Sequence, residues 1–128
     1  MRFLLDTHFV LWIPVNSPEM SSKSASIIRA PESELFFSVS SIWEIAIKKG
    51  LNRRNFRVDP REIRRRLIDN GYQELTIQGK HVVMVDSLAP IHKDPFDRIL
   101  IAQAMVEGIT LLTADPVIAK YPGPIRKI

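Results

Sequence analysis

The sequence predicts an α/β protein, a three-layer α/β/α sandwich with a central parallel sheet of four or five strands. Short apolar runs such as Phe3–Leu5, Leu35–Val39 and Ile109–Leu112 have the composition of strands that are buried on both faces. Segments with helical periodicity separate these runs. Alternating strands and helices are typical of a parallel sheet that helices cover on both sides.

The predicted strands follow from apolar runs and from alternation. Three of them are mainly apolar stretches suited to the centre of the sheet. Tyr72–Ile77 alternates like a short strand, and Pro124–Ile128 is short enough for an edge strand. In chain order the predicted strands are 2–5, 35–39, 72–77, 109–112 and 124–128.

The predicted helices follow from periodicity and from the residues that begin and end helices. Asp-Pro pairs at 59–60, 94–95 and 115–116 supply an N-cap followed by a proline in the first turn. Gly71 and Gly108 lie where helices should end. The segment from Phe96 to Val106 is apolar on nearly every side, which predicts a largely buried helix. The predicted helices are 7–13, 18–30, 41–49, 60–70, 79–88, 95–106 and a last short one at 116.

Composition bounds the class of protein. The 128 residues suit a single domain spanning 1–128, with 45% hydrophobic and 25% charged residues. The chain has no cysteine, which excludes disulfides, thiolate zinc sites and cysteine nucleophiles. No apolar run approaches the roughly 20 residues of a membrane helix. We therefore expect a cytoplasmic protein without a membrane segment.

Positive charge is concentrated in one segment. Residues 48–66 contain nine Lys and Arg against two acids, a net charge of +7, although the whole chain carries only +4. The remainder is therefore mildly acidic, at −3. A basic segment of this kind is suited to a phosphate backbone, although an isolated run is more often a solvated helix face.

Four acids occupy equivalent positions in the predicted fold. Asp6 ends the first strand, Glu44 and Asp97 fall in the first turns of helices, and Asp115 follows a central strand. In parallel sheets, strand carboxyl ends and the following helix starts share one edge, where such folds bind ligands. We expect the four side chains to converge there.

Each acid also has a purely structural interpretation. Asp6 and Asp115 are suitable N-caps, and Ser41-Ile42-Trp43-Glu44 and Asp94-Pro95-Phe96-Asp97 have the pattern of capping boxes. Taken together, four like charges in one cleft would repel one another strongly unless a cation lay between them. Carboxylates suit Mg²⁺ or Mn²⁺, which activate water and hold phosphate oxygens. The sequence thus favours metal-dependent phosphodiester hydrolysis.

Four blocks of the chain contain these acids and carry a family resemblance. The blocks are Leu4-Leu5-Asp6-Thr7-His8, Ser41-Ile42-Trp43-Glu44-Ile45, His92-Lys93-Asp94-Pro95-Phe96-Asp97-Arg98 and Leu112-Thr113-Ala114-Asp115. At these blocks the sequence resembles the PIN-domain ribonucleases, and more closely the VapC-type toxins of bacterial toxin–antitoxin modules. The resemblance covers essentially the whole chain, in order and spacing.

The resemblance implies a site, a cofactor and partners. It implies that Asp6, Glu44, Asp97 and Asp115 bind Mg²⁺ or Mn²⁺ and cleave RNA. It implies accessory roles for Asp94, as a further acid or N-cap, and for Thr113, beside the last acid. A cognate antitoxin that blocks the site and a homodimer are also expected.

Several alternatives remain open at this stage. The basic segment either holds RNA or contributes to the groove for the antitoxin, and the sequence favours neither. A non-catalytic RNA- or protein-binding module would use the acids only as caps. An aspartyl phosphotransferase with Asp6 as nucleophile ranks third, because no second aspartate follows two residues later. The basic residues to which the first question applies are Arg53, Arg54, Arg57, Arg64 and Arg65.

Overall fold

A five-stranded, all-parallel sheet forms the middle layer of the fold. It is described here from a computed structural model that covers residues 1–128, apart from the side chain of Asn55. The strand order across the sheet is β3-β2-β1-β4-β5. The strands are β1 (Arg2–Leu5), β2 (Glu34–Ser38), β3 (Gln73–Leu75), β4 (Thr110–Thr113) and β5 (Ile125–Lys127). The predicted α/β sandwich is confirmed.

Six α-helices and three short 3-10 helices surround the sheet. The 3-10 segments are Ile13–Val15, Arg54–Phe56 and Ile118–Lys120. Among the described residues, no helix is both long and apolar enough to cross a membrane. The α-helices are α1 (Thr7–Trp12), α2 (Ser22–Arg29), α3 (Val39–Gly50), α4 (Pro60–Asp69), α5 (Gly79–Val85) and α6 (Pro95–Glu107).

The alternation of side chains along β1 divides the core into two layers. Phe3 and Leu5 pack on one face with residues of α1, α3 and α4, including Ile45 and Leu67. Leu4 points to the other face and packs with residues of α6 and β4. The central strand is therefore buried on both sides, as its apolar composition predicts.

Helix α6 contributes much of the second core layer. Six consecutive residues, 99–104, are buried, and Gly108 ends the helix in a left-handed conformation with a φ of 66°. The buried Gln103 joins this helix to the sheet, because its Oε1 accepts a 2.6 Å hydrogen bond from Ser38 Oγ. The middle of α6 is thereby tied to the end of β2.

Several predicted helix bounds differ from the structure, including the end of α5, which lies at Val85 rather than at residue 88. Helix α2 begins at Ser22, because Ser21 Oγ accepts a hydrogen bond from Ser24 N at 3.1 Å. Residues after Asp115 form a turn and a 3-10 helix rather than an α-helix. Helix α3 begins at Val39 instead of Ser41, because Ser38 is its N-cap. The last difference changes the interpretation of Glu44.

Candidate metal and active site

Asp6 lies directly after β1 and is buried. Its Oδ1 accepts a 3.2 Å hydrogen bond from Phe9 N and so caps α1, while its Oδ2 accepts a 2.6 Å hydrogen bond from Thr113 Oγ1. Burial raises the pKa of Asp6 above its ordinary value, although the hydrogen bonds from Thr113 and Phe9 oppose the shift. One oxygen of this carboxylate therefore caps α1, while the other belongs to the candidate site.

Thr113, predicted as an accessory residue, connects two of the acids. Besides donating to Asp6, its hydroxyl oxygen accepts a 3.0 Å hydrogen bond from Asp115 N. Asp115 in turn accepts a 2.8 Å hydrogen bond from Val117 N, which forms the turn after β4. The end of β4 therefore fixes Asp6 and Asp115 relative to each other.

Glu44 is not part of a capping box, and its predicted place in the first turn of its helix is wrong. Because α3 begins at Val39, Glu44 lies in the second turn and is only 4% exposed. Its Oε1 accepts a 2.7 Å hydrogen bond from Thr7 Oγ1, and its Oε2 is ion-paired with Lys48 Nζ. Since no helix end uses this carboxylate, capping does not explain why it is buried here.

Asp94 and Asp97 have different contacts at the start of α6. Asp94 is the N-cap, and its Oδ1 accepts hydrogen bonds from Phe96 N at 2.8 Å and from Asp97 N at 3.4 Å. The Asp97 side chain turns elsewhere, with Oδ2 lying 2.8 Å from His92 Nε2. Of the two acids, only Asp94 is needed to begin the helix.

The electrostatic surroundings of Asp97 are the most unusual of the site. Its pKa is raised to about 8, first by burial and then by the negative charges of four other carboxylates. Because each of these carboxylates acts on Asp97, the five acids lie near one another in the fold. These four neighbours, in decreasing order of effect, are Asp94, Glu44, Asp6 and Asp115.

Part of this cluster has the spacing of a metal site. His92, Asp97 and Asp115 each offer one ligand atom, and these three atoms lie within 4.8 Å of one another. His92 Nε2 also lies 3.8 Å from Asp115 Oδ2. The donors of the wider cluster are mainly carboxylate oxygens, which fit Mg²⁺ or Mn²⁺ better than softer metals. A divalent cation here would offset the burial and the repulsion that together raise the pKa of Asp97.

Three residues of this site were not assigned by the sequence analysis. Lys48 was counted only in the basic segment, although its position four residues after Glu44 on a helix is the spacing of an ion pair. Thr7 lies beside Asp6 in the first of the four blocks but was given no role. His92 opens the third of the four blocks but has no predicted role, and nothing in its sequence position signals contact with Asp97.

The basic segment separates into two parts. On α4, Arg64 forms two hydrogen bonds with Glu74, and Arg65 pairs with Glu62 at 2.6 Å. Before α4, Arg53 and Arg54 line a small cavity together with Lys48 and Phe56. Arg57 is exposed after that cavity. The arginines named as contacts for RNA or antitoxin thus lie in different surroundings.

Several solved structures share this fold. A chain of the VapBC2 complex of Rickettsia felis, bound to a promoter DNA fragment, matches with a TM-score of 0.70 and 12% identity over 99% of this chain and 98% of that one. A chain of VapBC-1 from nontypeable Haemophilus influenzae matches with a TM-score of 0.65 and 18% identity, and one of DNA-bound VapBC from Salmonella typhimurium with 0.64 and 15%. Both matches cover 99% of this chain and 98% of the other.

The family itself is established by sequence. A direct comparison with curated proteins gives no match. The family model for the PIN domain matches residues 3–124, which include all four blocks that carry the resemblance. PIN domains are generally nucleases, and the acids described above lie at the sheet edge where parallel α/β folds bind ligands. The chain belongs to the PIN-domain family.

Proposed function

We propose that this protein is a metal-dependent endoribonuclease that hydrolyses RNA and acts as the toxin of a toxin–antitoxin pair. The observation that carries the proposal is the convergence of acidic side chains, in which ligand atoms of His92, Asp97 and Asp115 lie within 4.8 Å of one another. Burial and the neighbouring carboxylates raise the pKa of Asp97 to about 8, which agrees with this crowding. Such crowding is costly for a protein that needs only helix caps. It is favourable in a site that a divalent cation completes.

Mg²⁺ or Mn²⁺ is the proposed cofactor, held by Asp6, Glu44, Asp97 and Asp115. When bound, such an ion neutralises phosphate oxygens and activates water. The hydroxyl of Thr113 keeps Asp6 in one orientation, and the hydroxyl of Thr7 does the same for Glu44. Hydrogen bonds of this kind to metal-binding side chains raise affinity by holding the ligands in place.

RNA is the proposed substrate because the acidic centre adjoins a segment of charge +7. The carboxylates would hold the ion that neutralises the cleaved phosphate, and cations of the segment are suited to its neighbouring phosphates. An antitoxin is the proposed protein partner, since the structural neighbours come from VapBC complexes. A homodimer is proposed by analogy with the family alone.

Cleavage of total cellular RNA by the purified protein tests the enzymatic part of this proposal. The reaction is run with Mg²⁺, Mn²⁺ or EDTA, and with Asp6→Asn in parallel. Asn preserves the cap on Phe9 N but removes a charged ligand. Discrete products that require the metal and disappear in Asp6→Asn are expected. Asp59→Asn is the matched control, because Asp59 is the N-cap of α4 and lies outside the acidic cluster.

The same experiment separates the nuclease from a non-catalytic binding module. Well-folded, antitoxin-free protein that leaves RNA intact with both metals would contradict the enzymatic proposal. Full cleavage by Asp6→Asn, or in EDTA, would contradict the metal site.

Induced expression in a bacterial host tests the toxin role separately. We expect the wild-type chain to stop growth and Asp6→Asn at the same expression level to leave growth unchanged. Normal growth with wild-type protein that cleaves RNA in vitro would contradict the toxin role and leave the nuclease standing.

A further inference from the structure

We propose that Lys48, Arg53 and Arg54 form a pocket for a backbone phosphate of single-stranded RNA, next to the phosphate that is cleaved. This inference rests on the proposed function, because it assigns a subsite to the same substrate. It also decides between the two interpretations of this part of the basic segment, in favour of RNA over antitoxin.

Lys48 connects the pocket to the acidic centre. Its Nζ contacts Glu44 Oε2 and also lies 4.7 Å from the centre of the Phe56 ring. The ring is buried, so it forms a fixed support for the ammonium group through a cation–π contact. An ammonium group has three N–H donors, so the bond to Glu44 leaves donors for a phosphate oxygen.

A tight chain reversal brings the two arginines beside Lys48. Helix α3 ends at Gly50, and Asn52 adopts a left-handed conformation with a φ of 55°. Arg53 N then donates a 3.0 Å hydrogen bond back to Lys48 O. The resulting cavity has a volume of about 240 Å³ and is lined by Lys48, Arg53, Arg54 and Phe56.

The charges of the two arginines are available to a ligand. Among the described side chains, no carboxylate lies within 4.0 Å of Arg53 or Arg54. On α4, by contrast, Arg64 is satisfied by Glu74 and Arg65 by Glu62. Of the three cations that line the cavity, only Lys48 has a carboxylate partner, so the pocket as a whole favours an anion.

The position of the pocket favours RNA as the source of that anion. An RNA strand whose phosphate lies at the carboxylates carries further phosphates on either side. A cationic cavity that shares Lys48 with the acidic centre is positioned to bind one of these neighbours. Guanidinium groups bind phosphate through paired hydrogen bonds, which suits Arg53 and Arg54 to this role.

Binding of a fluorescein-labelled, single-stranded RNA oligonucleotide tests this pocket. Fluorescence anisotropy is measured over a range of salt concentrations with Ca²⁺ in place of Mg²⁺, and cleavage is measured with Mg²⁺. For the double variant Arg53→Ala/Arg54→Ala we expect binding weaker by about tenfold and a higher KM with little change in kcat. The salt slope should become shallower by about 0.7 for each phosphate that the variant no longer neutralises.

The double variant Arg64→Ala/Arg65→Ala is the matched control, because it removes the same charge from arginines that are already paired. It should bind RNA within about twofold of the wild type. Lys48→Met should also weaken binding. Circular dichroism and thermal unfolding check that each variant folds. The two double variants are expected to fold because all four arginines are exposed.

The outcomes distinguish this inference from the proposed function. Wild-type affinity and KM in Arg53→Ala/Arg54→Ala, with wild-type protein that binds and cleaves RNA, would overturn the pocket alone. An equally large weakening of binding in the two double variants would also overturn it, because it would indicate non-specific charge. Wild-type protein that neither binds nor cleaves RNA would overturn the proposed function and the pocket together.

Discussion

Two helices of this protein begin with the same pattern and place its acids in opposite surroundings. Helix α4 begins with Asp59-Pro60-Arg61-Glu62, and helix α6 with Asp94-Pro95-Phe96-Asp97. In both, the first acid is the N-cap and proline follows it. The acid three residues after the cap is Glu62 in one helix and Asp97 in the other. A comparison of these two side chains shows how the surrounding fold changes the properties of an acid in the same local sequence pattern.

Glu62 has the surroundings of an ordinary surface acid. Hydrogen bonds from Arg66 and Arg65 lower its pKa below the ordinary value. Its ionised form is therefore the one that the folded protein favours. The position of Glu62 in the first turn of α4 and its negative charge are both explained by the helix and its arginines, without a bound ligand.

Asp97 has the reverse surroundings. Burial and four carboxylates raise its pKa to about 8, and its side chain contacts His92 rather than an arginine. Because the local sequence pattern is the same, the difference comes from the fold around the helix start. Capping therefore explains Asp59 and Asp94 but not Asp97, and the same argument applies to Glu44.

The largest expected difference is in the rate of RNA cleavage, when the negative charge is removed at Asp97 or at Glu62. Asp97→Asn should lower metal-dependent RNA cleavage by more than about a hundredfold, because even residues that only support metal ligands commonly cost 10- to 100-fold. Glu62→Gln should stay within about twofold of the wild type. The measurement is the initial rate on one RNA substrate at saturating Mn²⁺. Equal rates in both variants would remove the distinction between the two helices.

The pH dependence of stability should have opposite signs at these positions. Because the native pKa of Asp97 is raised, the folded state holds this proton more tightly than the unfolded chain. The contribution is fully present below about pH 4 and is lost as pH rises through 8. Glu62, with a lowered pKa, stabilises the fold above its ordinary pKa and loses that effect in acid.

Denaturant unfolding of metal-free protein measures this difference. At pH 9, Asp97→Asn should be more stable than the wild type by about 2 to 5 kcal/mol. At pH 4 the two should be nearly equal. A wild-type protein that gains stability between pH 5 and 9 relative to Asp97→Asn would contradict the assigned sign.

Thr113 offers a smaller test of how the site is held. Thr113→Val removes the hydroxyl that donates to Asp6 Oδ2 while keeping the size of the side chain. We expect cleavage to fall by about tenfold and stability by about 1 to 3 kcal/mol. Thr110→Val on the same strand is the matched control, and its rate should not change. A Thr113→Val protein with wild-type rate would show that Asp6 needs no support.

The smallest effect is expected from the caps themselves. Asp94→Asn keeps an N-cap oxygen but removes a charge that raises the pKa of Asp97. The pH at which metal-free stability falls should therefore move downward, with stability at pH 5 changed by less than about 1 kcal/mol. Asp59→Asn should leave that pH unchanged. Identical pH profiles for the two cap variants would mean that Asp94 does not act on Asp97.

The sequence was sufficient for the architecture because burial on both faces and alternation of elements are local signals. Phe3–Leu5 and the buried stretch of α6 show this directly. The convergence of the acids also followed, since the carboxyl ends of parallel strands share an edge. These predictions needed no knowledge of side-chain conformation.

The finer features of the site depend on contacts that the sequence does not encode locally. Ser38 and Ser41 are both suitable caps, and the end of β2 decides between them. His92 lies beside Asp97 in a loop whose backbone is held by residues elsewhere in the chain, because His92 N donates to Tyr121 OH at 2.6 Å and Arg98 donates to His92 O at 3.4 Å. The division of the arginines depends on Glu74, which lies on β3 and meets Arg64 only in the folded protein.

Calorimetric titration of Mn²⁺ into metal-free protein at neutral pH tests the central claim most directly, since that claim is that the carboxylates around Asp97 form a divalent-cation site. Wild-type protein and Glu62→Gln should bind Mn²⁺ with the same affinity, and Asp97→Asn should bind it at least about tenfold more weakly. Absence of binding to the wild-type protein, or equal binding by Asp97→Asn, would contradict the account.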